Sequence, residues 1–152
     1  MVDRLEYEIE KRAERAENLD FCKGIKVLKI KDAIASMLSV IGSNGIFEQY
    51  TVHNISHINE MLNIAEWLIP ESTKQKMTDA EWLMLTLSIY LHDLGMVVSK
   101  KEFKDREKNS SFLEFKQNTI ETATQEYLES AKDEKFLYQE FVRKHHATRI
   151  RN

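Results

Sequence analysis

The sequence predicts an all-α fold, and three observations lead to that prediction. Its 152 residues include one proline and four glycines, so few positions would interrupt a helix. Leu, Glu, Lys, Ala and Met, which favour helix, are abundant. In several stretches the apolar residues recur three and four positions apart, which is typical of a helix with one buried face. Because 42% of the residues are hydrophobic and 31% are charged, we expect residues 1–152 to form a single globular domain with a core.

The composition and the N-terminal sequence also bear on the cellular location of the protein. A net charge of −3 gives no general attraction to nucleic acid, and the single cysteine, Cys22, excludes an internal disulfide. The start of the chain lacks the apolar segment of a signal peptide. The strongly apolar stretch at residues 83–91 is shorter than the roughly 20 residues that cross a bilayer. We therefore expect a cytoplasmic protein without a membrane span.

Two helices are predicted in the N-terminal region, residues 1–50. The first, residues 4–19, mixes acidic and basic side chains, which suggests a surface element or a contact between copies in a homo-oligomer. The second, residues 25–41, is more apolar, and its apolar residues recur at helical spacing. Gly42 and Gly45 then interrupt it.

The third predicted helix, residues 52–68, carries two histidines and ends before Pro70, since the residue that precedes a proline is biased away from helix. A new helix is expected to start at Thr78. This threonine is followed three residues later by Glu81, which is the pattern of a capping box.

Residues 80–96 are apolar on nearly every face, which predicts a helix buried in the middle of a bundle. Gly95 is expected to be the left-handed residue that ends this helix. The polar residues 99–118 are predicted to be an excursion with short helical pieces that could act as a lid. Helices at residues 119–131 and 134–146 complete the predicted bundle.

All five histidines fall into three clusters, and this grouping is the main indication of function. The clusters are His53 with His57, His92 followed directly by Asp93, and His145 with His146. Imidazole nitrogen and carboxylate oxygen are ligands of Zn, Mn, Fe and Ni. Clusters brought together by folding would therefore form a metal site, and a hydrolytic metal centre is the leading interpretation.

The spacing within the clusters supports this interpretation to different degrees. His53 and His57 are four residues apart, so on a helix they would project from one face. His92 and Asp93 stand at the end of the most apolar predicted helix. A carboxylate buried there without a partner would be costly, so we expect Asp93 to meet a cation, a metal or strong hydrogen-bond donors.

These residues carry a family resemblance. His57 ahead of a helix, the stretch HisAspLeuGlyMet at residues 92–96 and the stretch ArgLysHisHis at residues 143–146 resemble the HD superfamily of metal-dependent phosphohydrolases. The resemblance spans residues 51–149 and implies a helical bundle of the HD-domain type with one or two divalent ions (Mn, Fe, Ni, Zn or Mg). It implies hydrolysis of phosphomonoesters or phosphodiesters, often of nucleotides or nucleic acid. The motifs are most similar to variant HD domains joined to bacterial ATPase or defence proteins, which suggests a fused or partner ATPase or effector domain.

The resemblance also implies roles for individual residues. His57 would be the first metal ligand and His53 an ancillary ligand or phosphate donor. His92 would bind the metal, and Asp93 would bridge to or position a second ion. The nucleophile for in-line attack on phosphorus would be Asp93 or a hydroxide that the metal generates beside it. The implied metal ligands are thus His53, His57, His92, Asp93, His145 and His146, the last two at a second metal position. The implied catalytic residues are Asp93, Lys100 and Arg143, with Arg149 as a further candidate for holding phosphate.

Two departures from the family pattern bear on activity. Met96 stands where the family commonly has lysine, so Lys100 or Lys101 would have to replace that cation. The family's closing aspartate, on a helix beyond the third histidine cluster, has no counterpart before Asn152. Residues 1–152 would then be either the N-terminal part of a longer protein or a shortened member of the family with an incomplete site, and we expect the first.

Three functional hypotheses follow from the sequence. The first is an HD-type phosphohydrolase that acts on a phosphoester substrate such as a nucleotide or nucleic acid. The second is a catalytically idle HD-type module that senses a nucleotide or a metal and passes the signal to an effector, which Met96 and the missing aspartate favour. The third is a structural helical module that assembles through its charged first helix.

Overall fold

The structure, a computed structural model, describes residues 4–43 and 54–149, and over these ranges it contains helices and no strand. The all-α prediction is confirmed. The α-helices are α1 (Glu8–Arg15), α2 (Val27–Ser43), α3 (Ile55–Leu68), α4 (Glu71–Lys74), α5 (Asp79–Leu91), α6 (Lys100–Lys104), α7 (Ser110–Thr122), α8 (Gln125–Ala131) and α9 (Glu134–Arg149). Short 3₁₀ turns lie at Ala16–Asn18, Asp20–Cys22, Leu94–Met96 and Arg106–Lys108.

The described residues form two compact units. The first unit contains residues 4–40 and 54–92, and the second contains residues 41–43 and 93–149. The organisation of residues 1–152 as one domain, part of a longer protein, stays a prediction.

In the first unit, α1 packs mainly against α5. Its Ile9, Glu10 and Ala13 side chains are buried, and the guanidinium of Arg12 lies over the Trp82 ring at 5.2 Å from the ring centroid. The helix is shorter than the predicted range, residues 4–19. It is a surface element, as expected, but one of its faces belongs to the core of the first unit. The contact between copies stays a prediction.

The helices α2 and α3 agree with the predicted positions to within a few residues. Val27, Ile34 and Leu38 of α2 are buried at helical spacing, but Met37, which also belongs to the predicted apolar face, is 51% exposed. The α3 helix ends at Leu68, before Pro70, as predicted. Its start is fixed by Asn54, whose side-chain oxygen accepts hydrogen bonds from the backbone N–H groups of residues 56 and 57.

The α5 helix begins with the predicted capping box. The Thr78 Oγ1 accepts from the Glu81 N–H, and the Glu81 carboxylate accepts from the Thr78 N–H at 2.7 Å. Trp82 and Tyr90 are buried, but Met84 is 66% exposed, so the expectation that α5 is buried on nearly every face is only partly correct. In the described chain, Asp79–Lys104 has the length and apolarity of a membrane span, yet half of its apolar window is buried, as in the core helix of a soluble protein.

The second unit is built around aromatic side chains from α7 and α9. The Phe112 ring lies 4.9 Å from that of Tyr138 and 5.4 Å from that of Phe141, centroid to centroid, and both contacts are edge to face. Such contacts add to the stabilisation from apolar burial. Phe112, Tyr138 and Phe141 are each buried.

The predicted excursion at residues 99–118 is more regular than expected. Ser99 caps α6, and Asn109 caps α7, a helix of 13 residues that runs through the expected boundary at residue 119. The expected helix at residues 119–131 is instead broken at Ala123, where the backbone is extended, and restarts as α8. The last helix, α9, continues to Arg149 instead of ending at residue 146.

Candidate metal centre

His57 lies in the first turn of α3. The Asn54 side chain accepts a hydrogen bond from the backbone N–H of His57 at 3.3 Å, which fixes the start of the helix and the direction of this turn. The side chain is half-buried. His53 lies outside the described residues, so its predicted role stays a prediction.

His92 follows the last residue of α5, and its ring is held by a backbone contact. The Nδ1 atom lies 2.7 Å from the carbonyl oxygen of Ile89. Because a carbonyl oxygen only accepts, this contact requires a proton on Nδ1, and a neutral His92 then carries its lone pair on Nε2. Metal-binding histidines are commonly oriented by a contact of this kind.

The Nε2 atoms of the two histidines lie close together. The Nε2 atoms of His57 and His92 are 3.3 Å apart, and the ring centroids are 5.3 Å apart with 47° between the ring planes. Asp93, the next residue in the chain, is 6% exposed. One ligand atom from each of His57, His92 and Asp93 can be chosen so that all three lie within 4.8 Å of one another.

This donor set fits a divalent metal ion. Two neutral imidazole nitrogens and one carboxylate oxygen suit Zn, Mn, Fe and Ni. With a Zn–N bond of about 2.0–2.1 Å, two nitrogens in tetrahedral geometry are about 3.3 Å apart. The observed separation of the two Nε2 atoms, 3.3 Å, agrees with that value. His57, His92 and Asp93 could therefore hold one ion.

The chain leaves Asp93 through a 3₁₀ turn, Leu94–Met96, and not through a left-handed glycine. The prediction for Gly95 is wrong, because Gly24 is the glycine with a positive φ, +96°, among the described residues. Gly95 is needed for another reason. A Cβ atom on it would lie 1.9 Å from the carbonyl oxygen of His146, so the absent side chain allows α9 to pack directly on this turn.

His145 and His146 lie on α9, and each donates a hydrogen bond through Nδ1 to a backbone carbonyl of the same helix. The acceptors are Phe141, at 2.8 Å, and Arg143, at 2.7 Å. These contacts leave Nε2 as the available atom of each neutral ring. Neither residue belongs to the group formed by His57, His92 and Asp93 in the described chain, and a second metal position stays a prediction.

The predicted cationic residues occupy different surroundings. Lys100 is exposed at the first position of α6. The Arg143 guanidinium forms two hydrogen bonds with the Glu140 carboxylate, at 2.8 and 3.0 Å. Arg149, the further phosphate candidate, donates to the carbonyl oxygen of Gly95 at 2.6 Å and to the Glu102 carboxylate. Their catalytic roles stay predictions.

Sequence reasoning missed a buried polar network close to His92. The Glu10 carboxylate, which is fully buried, accepts from the hydroxyl of Tyr90 and pairs with the ammonium of Lys31. Ile9, Ala13 and Ala16 recur at helical spacing in the otherwise charged first helix, and all three are buried. That apolar stripe was the available signal that this helix has an inner face.

The chain was compared with protein-family models, with curated proteins and with solved structures. The family model described as HD-CE matches residues 47–152, which is more than half of the chain. The comparison with curated proteins and the comparison with solved structures each gave no significant match.

Proposed function

Because this chain belongs to the HD-CE family, we propose that it is a metal-dependent phosphohydrolase whose metal centre is formed by His57, His92 and Asp93. Its substrates in this proposal are phosphomonoesters or phosphodiesters of nucleotides or nucleic acid. The observation that carries the proposal is the convergence of the two Nε2 atoms, 3.3 Å apart, beside a buried carboxylate.

The protein's own residues would prepare the site for the ion. The Ile89 carbonyl selects the His92 tautomer with its lone pair on Nε2, and the N-terminal cap at Asn54 sets the turn that carries His57. Asp93 adds an anionic oxygen at a position with 6% exposure, where water competes weakly for it. A bound divalent ion supplies Lewis-acid polarisation of a phosphoryl oxygen and makes water a stronger nucleophile near neutral pH.

Arg143 and Lys100 keep, in this proposal, the phosphate-binding and catalytic roles that the family resemblance implies. Arg143 is about half exposed and already oriented by Glu140, and a guanidinium suits two-point binding of phosphate oxygens. Lys100 is the exposed candidate for the cation that Met96 cannot supply. A cytoplasmic location, a fused or partner ATPase or effector domain and homo-oligomers belong to the same proposal.

The test is the metal content of the chain purified without chelator and without a nickel affinity tag. The unmodified chain is expected to hold a near-stoichiometric amount of Mn, Fe, Ni or Zn. The double variant His92→Ala with Asp93→Ala is expected to lose it, because two of the three ligands are removed. A matched double variant, His145→Ala with His146→Ala, removes the same number of candidate ligands from α9 and shows whether a second ion is present.

Hydrolysis of p-nitrophenyl phosphate and bis(p-nitrophenyl) phosphate is then measured on the same preparations. Loss of both metal and hydrolysis in the His92 and Asp93 variant, with circular dichroism unchanged, would support the proposal. Unchanged metal content and unchanged hydrolysis in that variant would overturn it.

The second candidate function is a catalytically idle module that senses a nucleotide or a metal, and the burial of Met96 favours it. Met96 is 2% exposed, so the position where the family commonly has lysine contributes to the core of the second unit. Metal or nucleotide binding by the chain without hydrolysis of either phosphoester would support this alternative over the phosphohydrolase.

The third hypothesis, assembly through the first helix, receives less support. The inner face of α1, with Ile9 and Ala13, is already used within the first unit.

A further inference from the structure

The helix α1 precedes the range that the HD-CE family model matches, residues 47–152, yet it contacts both helices that carry the proposed histidine ligands. The α5 helix ends at His92, and α3 begins near His57. The contacts between α1 and these two helices include hydrogen bonds as well as apolar packing. They therefore fix the orientation of α3 and α5 relative to α1 and also bury apolar surface.

The contact between α1 and α5 is made by the carboxylate of Glu10, which is fully buried. The Oε1 atom of Glu10 lies 2.6 Å from the hydroxyl oxygen of Tyr90 and 2.6 Å from the Nζ atom of Lys31. The Oε2 atom accepts from the backbone N–H groups of Glu6, at 2.9 Å, and Tyr7, at 3.1 Å. Glu10 and Tyr90 are 0% exposed and Lys31 is 2% exposed.

A buried charge with this many partners tolerates little displacement. Moving the carboxylate would leave a charged group or a hydroxyl without its partner in a place that water does not reach, which is costly. Buried ionic groups are weak evidence for net stability, and their better supported role is to specify one arrangement of the elements around them.

Tyr90 connects this network to the metal centre. It lies in the last turn of α5, two residues before His92, whose ring is held by the carbonyl of Ile89 in the same turn. Because the Tyr90 hydroxyl is fixed on Glu10, the backbone of this turn is fixed as well. The direction of the His92 ring follows from the backbone of that turn.

A second polar contact joins α1 to α3, the helix whose first turn carries His57. The Glu66 carboxylate, on α3, accepts a hydrogen bond at 3.0 Å from the backbone N–H of Ile9. That N–H belongs to the first turn of α1, where the helix itself offers no acceptor. The same short helix therefore holds both α3 and α5.

We propose that Glu10 is a positioning residue for the metal centre: through Tyr90 it fixes the last turn of α5 and thereby the His92 imidazole relative to His57. This inference rests on the proposed function, since it gives Glu10 a role toward the ion that His57, His92 and Asp93 would hold. It extends the functional part of the chain to residues that precede the family match.

The test compares two conservative variants on one helix. Tyr90→Phe removes the hydroxyl that binds Glu10, whereas Thr86→Val, one turn earlier, removes a hydroxyl that is equally buried and has no hydrogen-bond partner among the described residues. The probe is Zn²⁺, with its dissociation constant measured by competition with a chromogenic chelator. Tyr90→Phe is expected to weaken Zn²⁺ binding roughly 10–100-fold, the range typical of residues that orient a ligand. Thr86→Val is expected to leave it unchanged.

A second readout needs no metal. The ¹⁵N chemical shifts of the His57 and His92 imidazoles in the metal-free chain report tautomer and ring environment. They are expected to change in Tyr90→Phe and in Glu10→Gln but not in Thr86→Val. If Glu10→Gln does not fold, Tyr90→Phe decides alone.

The outcomes separate the two proposals. An unmodified chain that binds no Zn²⁺ and contains no Mn, Fe, Ni or Zn as purified would overturn the metal centre, and the imidazole shifts would still decide whether Glu10 positions His92. An unmodified chain that binds Zn²⁺, with equal affinity and equal imidazole shifts in Tyr90→Phe, would overturn the positioning role alone.

Discussion

Each unit of the molecule contains a buried tyrosine whose hydroxyl donates to a glutamate that also meets a cation, yet the two networks differ in burial. In the first unit, Glu10 and Tyr90 are 0% exposed. In the second unit, the side chain of the glutamate is 36% exposed and that of its arginine is 17% exposed. The two networks are Tyr90, Glu10 and Lys31 in the first unit and Tyr138, Glu102 and Arg149 in the second.

The difference shows how similar chemistry can serve two purposes. A fully buried ion pair is costly to disturb, so the first network fixes one arrangement of helices before His92. The second network is in contact with water and keeps some freedom, but Arg149 also binds the carbonyl oxygen of Gly95, two residues after Asp93. The backbone is thus held by the first network before His92, within the first unit, and by the second network after Asp93, within the second unit.

The largest expected effect is on the buried network. Glu10→Gln should lower the free energy of unfolding by about 3–5 kcal/mol, because it leaves the Lys31 ammonium buried without its counter-charge. The matched change Glu102→Gln should cost about 1 kcal/mol or less, since water can replace a partly exposed carboxylate. Urea unfolding of both variants measures the difference, and equal losses would show that burial does not distinguish the two networks.

A smaller effect is expected at the two glycines whose surroundings are described. Gly95→Ala should cost roughly 1–3 kcal/mol or more, because the new Cβ atom meets the backbone of His146 and cannot be accommodated by a side-chain movement. Gly24→Ala meets no atom within 4 Å, but its φ of +96° should still cost about 1–2 kcal/mol.

Asparagine separates these two causes. Because asparagine tolerates a left-handed backbone, Gly24→Asn should be more stable than Gly24→Ala in thermal unfolding. Gly95→Asn should be no more stable than Gly95→Ala in the same thermal unfolding measurement. A recovery at Gly95 with asparagine would mean that backbone conformation, and not the packing of α9, requires this glycine.

The smallest expected effect is the response of the second network to alkaline pH. Burial, followed by the hydrogen bond to Glu102, raises the pKa of Tyr138 above its ordinary value of 10.0. Above about pH 10 the unfolded chain releases a proton that the folded chain keeps, so stability falls as the pH rises toward the folded pKa.

Tyr138→Phe removes this contribution, so its unfolding free energy should fall less between about pH 9 and about pH 11 than that of the unmodified chain. Urea titrations at the two pH values measure this difference in slope. Identical slopes for the two proteins would contradict the assignment.

The features that depend on neighbours in the chain were predictable from the sequence. The capping box at Thr78, the end of α3 before Pro70 and the adjacency of His92 and Asp93 are local patterns with local physical causes. The resemblance carried by residues 92–96 also gave the correct family. Convergence of His57 with His92 could be expected, but only the structure gives the distance between the Nε2 atoms.

The features that depend on tertiary contacts were not predictable. Glu10 is one of several acidic residues in a charged helix, and only its position against α5 makes it a buried partner of Tyr90. The sequence around Gly95 predicts a helix end, whereas the packing of α9 is the actual requirement. Polar composition suggested an irregular excursion at residues 99–118, because the cap at Asn109 and the burial of Phe112 were not recognised.

The cation contact between Arg12 and Trp82 in the first unit also provides an optical probe. The two tryptophans of the sequence, Trp67 and Trp82, both belong to the first unit, and they are 84% and 2% exposed. Red shift and quenching of tryptophan emission during unfolding therefore report mainly on Trp82 as it leaves α1. The helical signal of circular dichroism comes from both units. Comparing the fluorescence and circular dichroism signals during unfolding therefore shows whether the first unit unfolds before the rest of the molecule.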